Sequence, residues 1–172
     1  MFTYTICFIQ QGNQILMLNR NKAPAMGLWH GVGGKIESGE TPNESILREI
    51  FEETGIRVNK VQFKGVVSWD DNGVIDGMYA FIVKLPENYI YETPRKVDEG
   101  ILEWKEISWV LNVKNNGIPS NIPHFLPFMI NESTSYQFKC IYKNGKLLEC
   151  NRTPINDTIL SFAANKEEQM NL

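Results

Sequence analysis

The segment from residue 31 to residue 55 limits what this chain can fold into more than any other part of its sequence. It begins with a glycine-rich run, Gly31-Val32-Gly33-Gly34-Lys35, and glycines let a backbone approach a ligand closely. Thr41-Pro42-Asn43-Glu44 then combines a helix N-cap, a proline at the first helical position and a capping-box glutamate. Gly55 is a helix stop signal. We therefore predict a loop followed by a helix over residues 42–54.

Three glutamates crowd one side of this predicted helix. Glu49, Glu52 and Glu53 have i, i+3 and i+4 spacing, which places them on one arc. Like charges at this spacing repel by roughly 0.2–0.5 kcal/mol when they are exposed, and Arg48 can neutralise only part of the charge. The helix alone favours a solvated acidic face over a site for a hard divalent cation. The glycine-rich loop before the helix shifts the interpretation to the cation site.

The composition indicates one domain with an ordinary core. The 172 residues are 42% hydrophobic and 22% charged, as in globular proteins and unlike disordered chains. We predict a single domain over residues 1–162 and a flexible polar tail over 163–172. The apolar stretch 2–9 is interrupted by polar residues and has no basic residues before it. We therefore expect no membrane span, no signal peptide and a cytoplasmic location.

The charge balance restricts the class of partner. A net charge of −3 and a pI near 5.5 provide no basic surface for a nucleic-acid polymer. A small phosphorylated molecule is a suitable partner, because a bound divalent cation can supply the positive charge that the surface lacks. The composition is also compatible with a homodimer.

Hydrophobic patterns and turn residues predict the secondary structure. Strands are expected at 2–10, 15–20, 58–69, 78–85 and near 101–107. Helices are expected at 42–54, at 109–113 and at 123–129, and Asn144-Gly145 marks the turn of a closing hairpin. Strands that flank helices in this order indicate an α+β domain with a mixed sheet between helices.

The cysteines predict neither a metal-thiolate site nor a disulfide. Cys7, Cys140 and Cys150 are odd in number and form no CxxC pair. If the Asn144-Gly145 turn pairs the two lysines that flank it, Cys140 lies opposite Glu149 and Cys150 points to the other face of the hairpin. We therefore expect three free thiols.

The segment discussed first resembles the Nudix box, Gx5Ex7REUxEExGU, in which U is a bulky aliphatic residue. Every fixed position is filled at the correct spacing, by Gly34, Glu40, Arg48, Glu49, Ile50, Glu52, Glu53, Gly55 and Ile56. The resemblance implies a Nudix-type α/β/α sandwich with a central mixed sheet and a loop-helix-loop catalytic motif. It also implies hydrolysis of a nucleoside diphosphate linked to another group, with Mg²⁺ as the cofactor and Mn²⁺ as a substitute.

The same resemblance implies roles for the carboxylates. Glu49 and Glu53 are expected to bind the metal together with the carbonyl of Gly33. Glu52 shares the metal site or accepts a proton from the attacking water. Members of the family differ in which glutamate is the base, and some place it outside the box. In this chain the outside candidate, for the metal or for the proton, is Glu99.

Other box positions support the motif: Arg48 orients the carboxylates, Glu40 supports the loop, and Gly34 and Gly55 permit its turns. Outside the box, residues 27–35 resemble the GxWNGxGGK entry loop of MutT-type enzymes that degrade oxidised purine triphosphates, with a histidine in place of the asparagine. Two aspartates that read the base in those enzymes match a serine and an asparagine here. The expected substrate-binding residues are Arg20, Trp29, His30, Gly34, Lys35, Ser120 and Asn121.

The function that we expect is Mg²⁺-dependent hydrolysis of a nucleoside triphosphate, 8-oxo-dGTP or a related purine nucleotide, to the monophosphate and pyrophosphate. The alternative within the family is a different substrate, such as ADP-ribose or a dinucleoside polyphosphate. The alternative outside catalysis is a regulator that binds a nucleotide without cleaving it. Such regulators usually lack glutamates of the box, whereas this chain retains them all.

Overall fold

In residues 2–155 and 157–163, which the computed structural model describes, nine strands form one mixed sheet. The strands are β1 Tyr4–Gln11, β2 Gln14–Arg20, β3 Trp29–His30, β4 Gln62–Asp71, β5 Val74–Lys84, β6 Arg95–Val97, β7 Gly100–Glu106, β8 Tyr136–Lys143 and β9 Lys146–Pro154. Their order is β6-β7-β2-β1-β5-β4-β8-β9, and β3 pairs with β2. The β1–β5 and β4–β8 pairs are parallel and the other pairs are antiparallel. The predicted mixed sheet is therefore confirmed.

Four helices accompany this sheet in the same described residues. They are α1 Pro42–Thr54, α2 Ile107–Val110, α3 Ile122–Asn131 and α4 Asp157–Ala163. The bounds of α1 agree with the predicted 42–54, while α2 begins two residues before the predicted 109–113 and α3 extends beyond the predicted 123–129 at both ends. No helix in these ranges is long and apolar enough to cross a membrane.

The sheet lies between two apolar layers. Alternate residues of each central strand point to opposite faces, so Ile6 packs in the cluster that contains Phe125 of α3, and Cys7 packs in the cluster that contains Ile46 of α1. Ala163 of α4 is buried in the α1 cluster. This arrangement confirms the α/β/α sandwich and gives the sheet an α1 face and an α3 face.

The glycine-rich loop runs along β1. The Thr5 amide donates to the Gly34 carbonyl at 2.9 Å, and the Cys7 amide donates to the Val32 carbonyl at 2.7 Å. Gly33 has a φ of 146°, in the region that favours glycine, and a Cβ there would collide with the Thr5 backbone. The loop is thereby fixed at the rim of the sheet, beside α1.

Several predicted bounds were wrong. β4 begins at Gln62 instead of residue 58. β5 begins at Val74 instead of residue 78, because the polar Asn72-Gly73 turn is only two residues long and the ladder continues up to it. β6 and α4 were not predicted. Ala163, the first residue of the predicted tail, belongs to α4. The rest of that tail, 164–172, lies outside the described residues.

The prediction that Cys140 and Cys150 are free and on opposite faces was also wrong, since the two form a disulfide. The turn does pair Lys143 with Lys146, as assumed, but a β-bulge between Ile141 and Tyr142 shifts the register by one residue. Cys140 then lies directly opposite Cys150. The free thiol in the described residues is the buried Cys7.

Candidate active site

Local sequence fixes the position of α1. The Thr41 side chain accepts a hydrogen bond from the Glu44 amide, and the Glu44 carboxylate accepts one from the Thr41 amide at 2.7 Å. Gly55 ends the helix in the left-handed conformation, with a φ of 76°. Ile46 and Ile50 are completely buried against the sheet. Their burial fixes the rotation of α1, so the glutamate arc lies beside the glycine-rich loop.

Glu53 is the most buried carboxylate of this arc. Its side chain accepts a hydrogen bond from the Gly33 amide at 2.8 Å, and only 5% of the residue is exposed. Burial raises the pKa of Glu53 to about 8, the Gly33 hydrogen bond opposes this shift, and the charges of Glu49 and Glu99 reinforce it. Glu53 therefore keeps its proton near pH 7, and a cation that binds here would replace this proton and stabilise the charged carboxylate.

Arg48 joins four groups of the motif. Its Nε and Nη2 donate to the two oxygens of Glu40 at 2.7 and 2.9 Å, and its Nη1 donates to Glu49 and to Glu52, each at 2.9 Å. Nη2 also lies 3.2 Å from the Lys35 carbonyl, which accepts from it. The hydrogen bond from Arg48 lowers the pKa of Glu40, and Glu40 is the largest cause of the raised pKa of Arg48. Arg48 therefore ties the loop to the helix.

Glu49 lies directly under the loop. A Cβ on Gly34 would come within 2.5 Å of Glu49 Oε1, so only glycine leaves room for this carboxylate. Burial raises the pKa of Glu49, and its hydrogen bond and charge interaction with Arg48 counteract the rise. Glu52, by contrast, has a side chain that is 57% exposed.

Two predicted residues from other elements come close to Glu53. The Asn21 amide donates to the Glu99 carbonyl at 2.9 Å, which holds the turn between β6 and β7 against the end of β2. The charges of Glu99 and Arg20 both act on the pKa of Glu53, Glu99 raising it and Arg20 lowering it. Arg20 itself donates from Nε to the Pro24 carbonyl at 2.9 Å. The sheet thus brings Glu99 and Arg20 to the helix, although neither is part of the box.

The donor chemistry of this cluster fits a divalent cation. Glu49, Glu53 and Glu99 offer only oxygen atoms, the ligands that Mg²⁺ and Mn²⁺ accept, and a cation would compensate the charge that the buried Glu53 gains when it loses its proton. No three acidic, histidine or cysteine side chains of the described residues are already arranged as a ligand set. Glu49 and Glu52 are instead held by Arg48.

The predicted substrate contacts of the entry loop have definite surroundings. The Trp29 amide donates to the Gly117 carbonyl at 2.8 Å, and Lys105 Nζ lies 4.0 Å from the centre of the Trp29 ring. His30 Nδ1 lies 2.9 Å from the Gly31 carbonyl, which can only accept, so Nδ1 carries the proton. Burial lowers the pKa of His30 to about 4, and the ring is therefore neutral near pH 7.

Ser120 and Asn121 are not in the carboxylate cluster. They precede α3, on the face of the sheet opposite to α1. Ser120 is exposed and lowers the pKa of Tyr142, which burial raises, whereas Asn121 is only 7% exposed. The metal-type cluster and these predicted base readers therefore lie on the two sides of the sheet.

Three residues of this second face were not predicted as site residues. Trp69, Asp76 and Tyr142 are partly buried, and strand register places them on the α3 face near Ser120. Because side chains alternate along a strand, the pairing of Trp69 with Asp76 could have indicated this face. The signal for that pairing was the two-residue Asn72-Gly73 turn, because counting outward from it places Trp69 opposite Asp76.

Comparisons with known proteins agree with this geometry. The NUDIX domain family matches residues 2–115. A Bacillus subtilis protein described as an uncharacterized Nudix hydrolase, YvcI, is 30% identical over 128 residues, which are 73% of this chain and 77% of that protein. The oxidized purine nucleoside triphosphate hydrolase of Mus musculus is 24% identical over 93% of this chain and 92% of its own length.

A solved structure extends the agreement to the fold. The crystal structure of the mutator MutT protein of Bacillus halodurans has a TM-score of 0.68 and 28% identity, and the match covers 89% of this chain and 98% of that one. The family match includes the capped helix and its glutamates. This chain therefore belongs to the Nudix family and is a MutT-like hydrolase that acts on nucleotide derivatives.

Proposed function

We propose that this chain hydrolyses nucleoside triphosphates to the monophosphate and pyrophosphate, with Mg²⁺ as its cofactor and 8-oxo-dGTP among its substrates. The observation that carries the proposal is the buried Glu53, which is hydrogen-bonded to the glycine-rich loop and influenced by Glu49 and Glu99. Similarity to the mouse oxidized purine nucleoside triphosphate hydrolase over nearly the whole length supports this substrate class.

The carboxylates of Glu49, Glu53 and Glu99, with the Gly33 carbonyl, would hold the cation. A bound Mg²⁺ lowers the pKa of water and neutralises charge on phosphate oxygens. Mn²⁺ has similar ligand preferences and would substitute for it. These groups are suited to the task because Glu53 is hydrogen-bonded to the loop at Gly33 and Glu49 lies against the loop at Gly34, where the loop meets α1.

The chain's other groups act on the water and the phosphates. A water oxygen forms a bond to phosphorus, the bond to the bridging oxygen breaks, and pyrophosphate leaves. Glu52, held by Arg48, or Glu99 accepts the proton of that water at a carboxylate oxygen. Arg20, Lys35 and the Gly34 backbone are positioned near this cluster and would contact phosphate oxygens.

Base recognition would come from the α3 face and the entry loop. His30 is neutral and Asn121 is buried, so neither brings a charge to the base. Trp29 borders this region from β3. We propose that these residues, with Ser120, contact the nucleoside.

A turnover panel tests the proposal. Purified protein with Mg²⁺ is given nucleoside triphosphates, 8-oxo-dGTP, ADP-ribose and dinucleoside polyphosphates, and pyrophosphate and phosphate are measured separately. Pyrophosphate release from triphosphates supports the proposal. Turnover confined to ADP-ribose or dinucleoside polyphosphates would contradict it in favour of another Nudix substrate, and binding without turnover would indicate a regulator.

A further inference from the structure

We infer that Asp76 and Trp69, on the β4–β5 hairpin, form the base-recognition site, with Trp69 stacking on a purine and Asp76 accepting hydrogen bonds from the edge of guanine. The inference rests on the proposed function and specifies how the nucleoside is selected. Neither residue belongs to the box, to the entry loop or to the segment before α3.

Strand register places both side chains on one face. Trp69 pairs directly with Asp76 in the antiparallel β4–β5 ladder, two residues beyond the pair of Val67 and Met78. Val67 and Met78 are buried in the α3-face cluster. Because residues two apart on a strand share a face, Trp69 and Asp76 continue that face toward the end of the sheet.

The neighbouring strand closes this site against α3. Cys140 of β8 pairs with Trp69, and Tyr142 pairs with Asp71. The Ser120 side chain, in the segment before α3, lies close enough to Tyr142 to oppose the rise in its pKa that burial causes. The Trp69–Asp76 pair therefore lies between the buried core and Tyr142, on the α3 face of the sheet.

Asn121, in the segment before α3, is a polar side chain available to this face. The residue is 7% exposed and its side chain does not cap α3. A side-chain amide can both donate and accept hydrogen bonds, so Asn121 can bind a polar ligand that lies beside Ser120 and Tyr142.

Trp69 is better placed for stacking than Trp29. Lys105 Nζ already lies over the Trp29 ring, and Lys105 is held there by Glu103 at 2.6 Å. In the described part of the chain, no cation or aromatic ring covers Trp69, which is only partly buried. A base can therefore stack on Trp69 without displacing a cation or an aromatic ring.

Asp76 supplies the charge that Ser120 and Asn121 lack. Its Oδ1 accepts from the Gly77 amide at 2.7 Å, and a carboxylate has lone pairs for further donors. The Watson–Crick edge of guanine presents two adjacent donors, N1–H and the N2 amino group, whereas that of adenine presents one donor and one acceptor. A carboxylate at this position favours guanine and does not contact the C8 substituent.

The distance to the phosphate site suits one nucleotide. The loop residues Gly34 and Lys35 pair with β1, and β1 is followed in the sheet by β5 and β4. At about 4.8 Å between neighbouring strands, Asp76 lies roughly 10 Å across the sheet from the loop. The base and the phosphates of one extended nucleoside triphosphate are separated by a similar length.

The test compares guanine with adenine in matched variants. We expect Asp76→Asn to lower the ratio of kcat/KM for dGTP over dATP by about tenfold or more, mainly through KM for dGTP. Asp76→Glu, which keeps the carboxylate, should retain part of the preference. Trp69→Ala should lower kcat/KM for dGTP and for dATP by similar factors. Asp70→Asn is the control, because Asp70 points to the opposite face and its turn hydrogen bond to the Gly73 amide is one that asparagine can also accept.

Binding of dGMP and dAMP, measured by calorimetry in EDTA, gives a readout that does not depend on hydrolysis. Loss of the dGMP preference in Asp76→Asn but not in Asp70→Asn supports the inference, even if the wild-type protein hydrolyses no triphosphate and the proposed function fails. Equal preferences in the two variants, with normal triphosphate turnover, overturn the inference alone. Absence of both turnover and dGMP binding in the wild-type protein overturns both.

Discussion

Glu53 is the residue in which burial, charge and proposed chemistry meet. A carboxylate that is 5% exposed and close to other acidic groups is unfavourable in its charged form, and its pKa is accordingly raised to about 8. Raised pKa values of this kind concentrate at functional sites. Structural ion pairs also perturb pKa values, but the partner of Glu53 is a backbone amide of the glycine-rich loop.

Replacement of Glu53 by glutamine tests its role in catalysis. Glu53→Gln preserves the shape and can still accept from the Gly33 amide, but it removes the charge that would hold a cation. We expect kcat to fall by about 100-fold or more, measured by pyrophosphate release at saturating Mg²⁺. Glu87→Gln, in an exposed loop, should leave kcat unchanged. Turnover of Glu53→Gln near the wild-type rate would show that this face of α1 is not the metal site.

The raised pKa of Glu53 also predicts how stability depends on pH without metal. The folded protein retains the proton up to a pKa of about 8, against an ordinary value of 4.5, so this group stabilises the fold fully below pH 4.5 and the contribution is lost as pH rises to 8. We expect the free energy of unfolding of the wild type, measured by denaturant unfolding in EDTA, to fall between pH 5.5 and pH 8.5 by on the order of a few kcal/mol relative to that of Glu53→Gln.

Added Mg²⁺ provides the control for this pH effect. A bound cation stabilises the charged carboxylate, so it should restore wild-type stability most at pH 8.5 and have little effect on Glu53→Gln. Parallel pH profiles for the two proteins in EDTA would contradict the assignment of the raised pKa to Glu53.

Arg48 is expected to act by positioning. It donates to Glu40, Glu49 and Glu52 from a side chain that is 22% exposed. Arg48→Ala should lower the free energy of unfolding by about 1–2 kcal/mol and weaken Mg²⁺ activation, measured as a higher Mg²⁺ concentration at half-maximal rate. Arg48→Lys keeps the charge but not the planar fork, so it should recover only part of both losses. Wild-type Mg²⁺ activation in Arg48→Ala would argue against this role.

At the scale of elements, the β8–β9 hairpin differs most from the pattern read in the sequence. The Asn144-Gly145 turn forms as predicted, yet one bulge beyond it reverses which faces the cysteines occupy. A one-residue shift in register moves every later side chain to the other face. The turn residues therefore determine where a hairpin turns, but they do not determine which face of the hairpin a residue far from the turn occupies.

The cysteine pairing yields a direct count. Because Cys140 and Cys150 form a disulfide and Cys7 is the free thiol of the described residues, denatured, non-reduced protein should titrate with one thiol and reduced protein with three. Cys150→Ser should also give two thiols under both conditions. Three thiols without reduction would show that the hairpin cysteines are not bonded in the isolated protein.

At the scale of the whole molecule, the sheet separates two tasks. The carboxylates lie at the loop and α1, while Ser120, Asn121 and the Trp69–Asp76 pair lie on the α3 face. A substrate that reaches both must extend across the rim of the sheet where the glycine-rich loop pairs with β1. A nucleotide is divided in the same way, because its phosphates bind a metal ion whereas its base forms hydrogen bonds and stacks on aromatic rings.

This separation leads to a prediction about oxidised bases. Ser120 and Asn121 carry no charge and His30 is neutral, and the Asp76 carboxylate that we infer for the base edge does not contact C8, so none of these groups strongly distinguishes an oxidised guanine from guanine. We expect 8-oxo-dGTP to be hydrolysed with less than about 100-fold preference over dGTP in kcat/KM, or under about 3 kcal/mol. Steady-state kinetics on the two substrates measures this ratio. A much larger preference would mean that these residues read the C8 oxygen directly.

The sequence by itself determined the loop, the capped helix and the glutamate arc, because each depends on residues a few positions apart. Thr41, Pro42, Glu44 and Gly55 specify the ends of α1 locally, and the observed capping agrees with the prediction. The alternation of apolar residues likewise indicated the mixed sheet between helices. Residues with short-range signals were therefore predicted together with the elements that carry them.

Only the tertiary structure decided which distant residues meet. Glu99 reaches Glu53 because the β6–β7 turn is bonded to the end of β2, and Trp69 lies beside Cys140 because β4 and β8 pair in parallel. The Cys140–Cys150 pair depends on a bulge that no turn signal announces. Strand pairing is set by the packing of both faces of the sheet at once, and that packing energy is distributed over residues far apart in sequence.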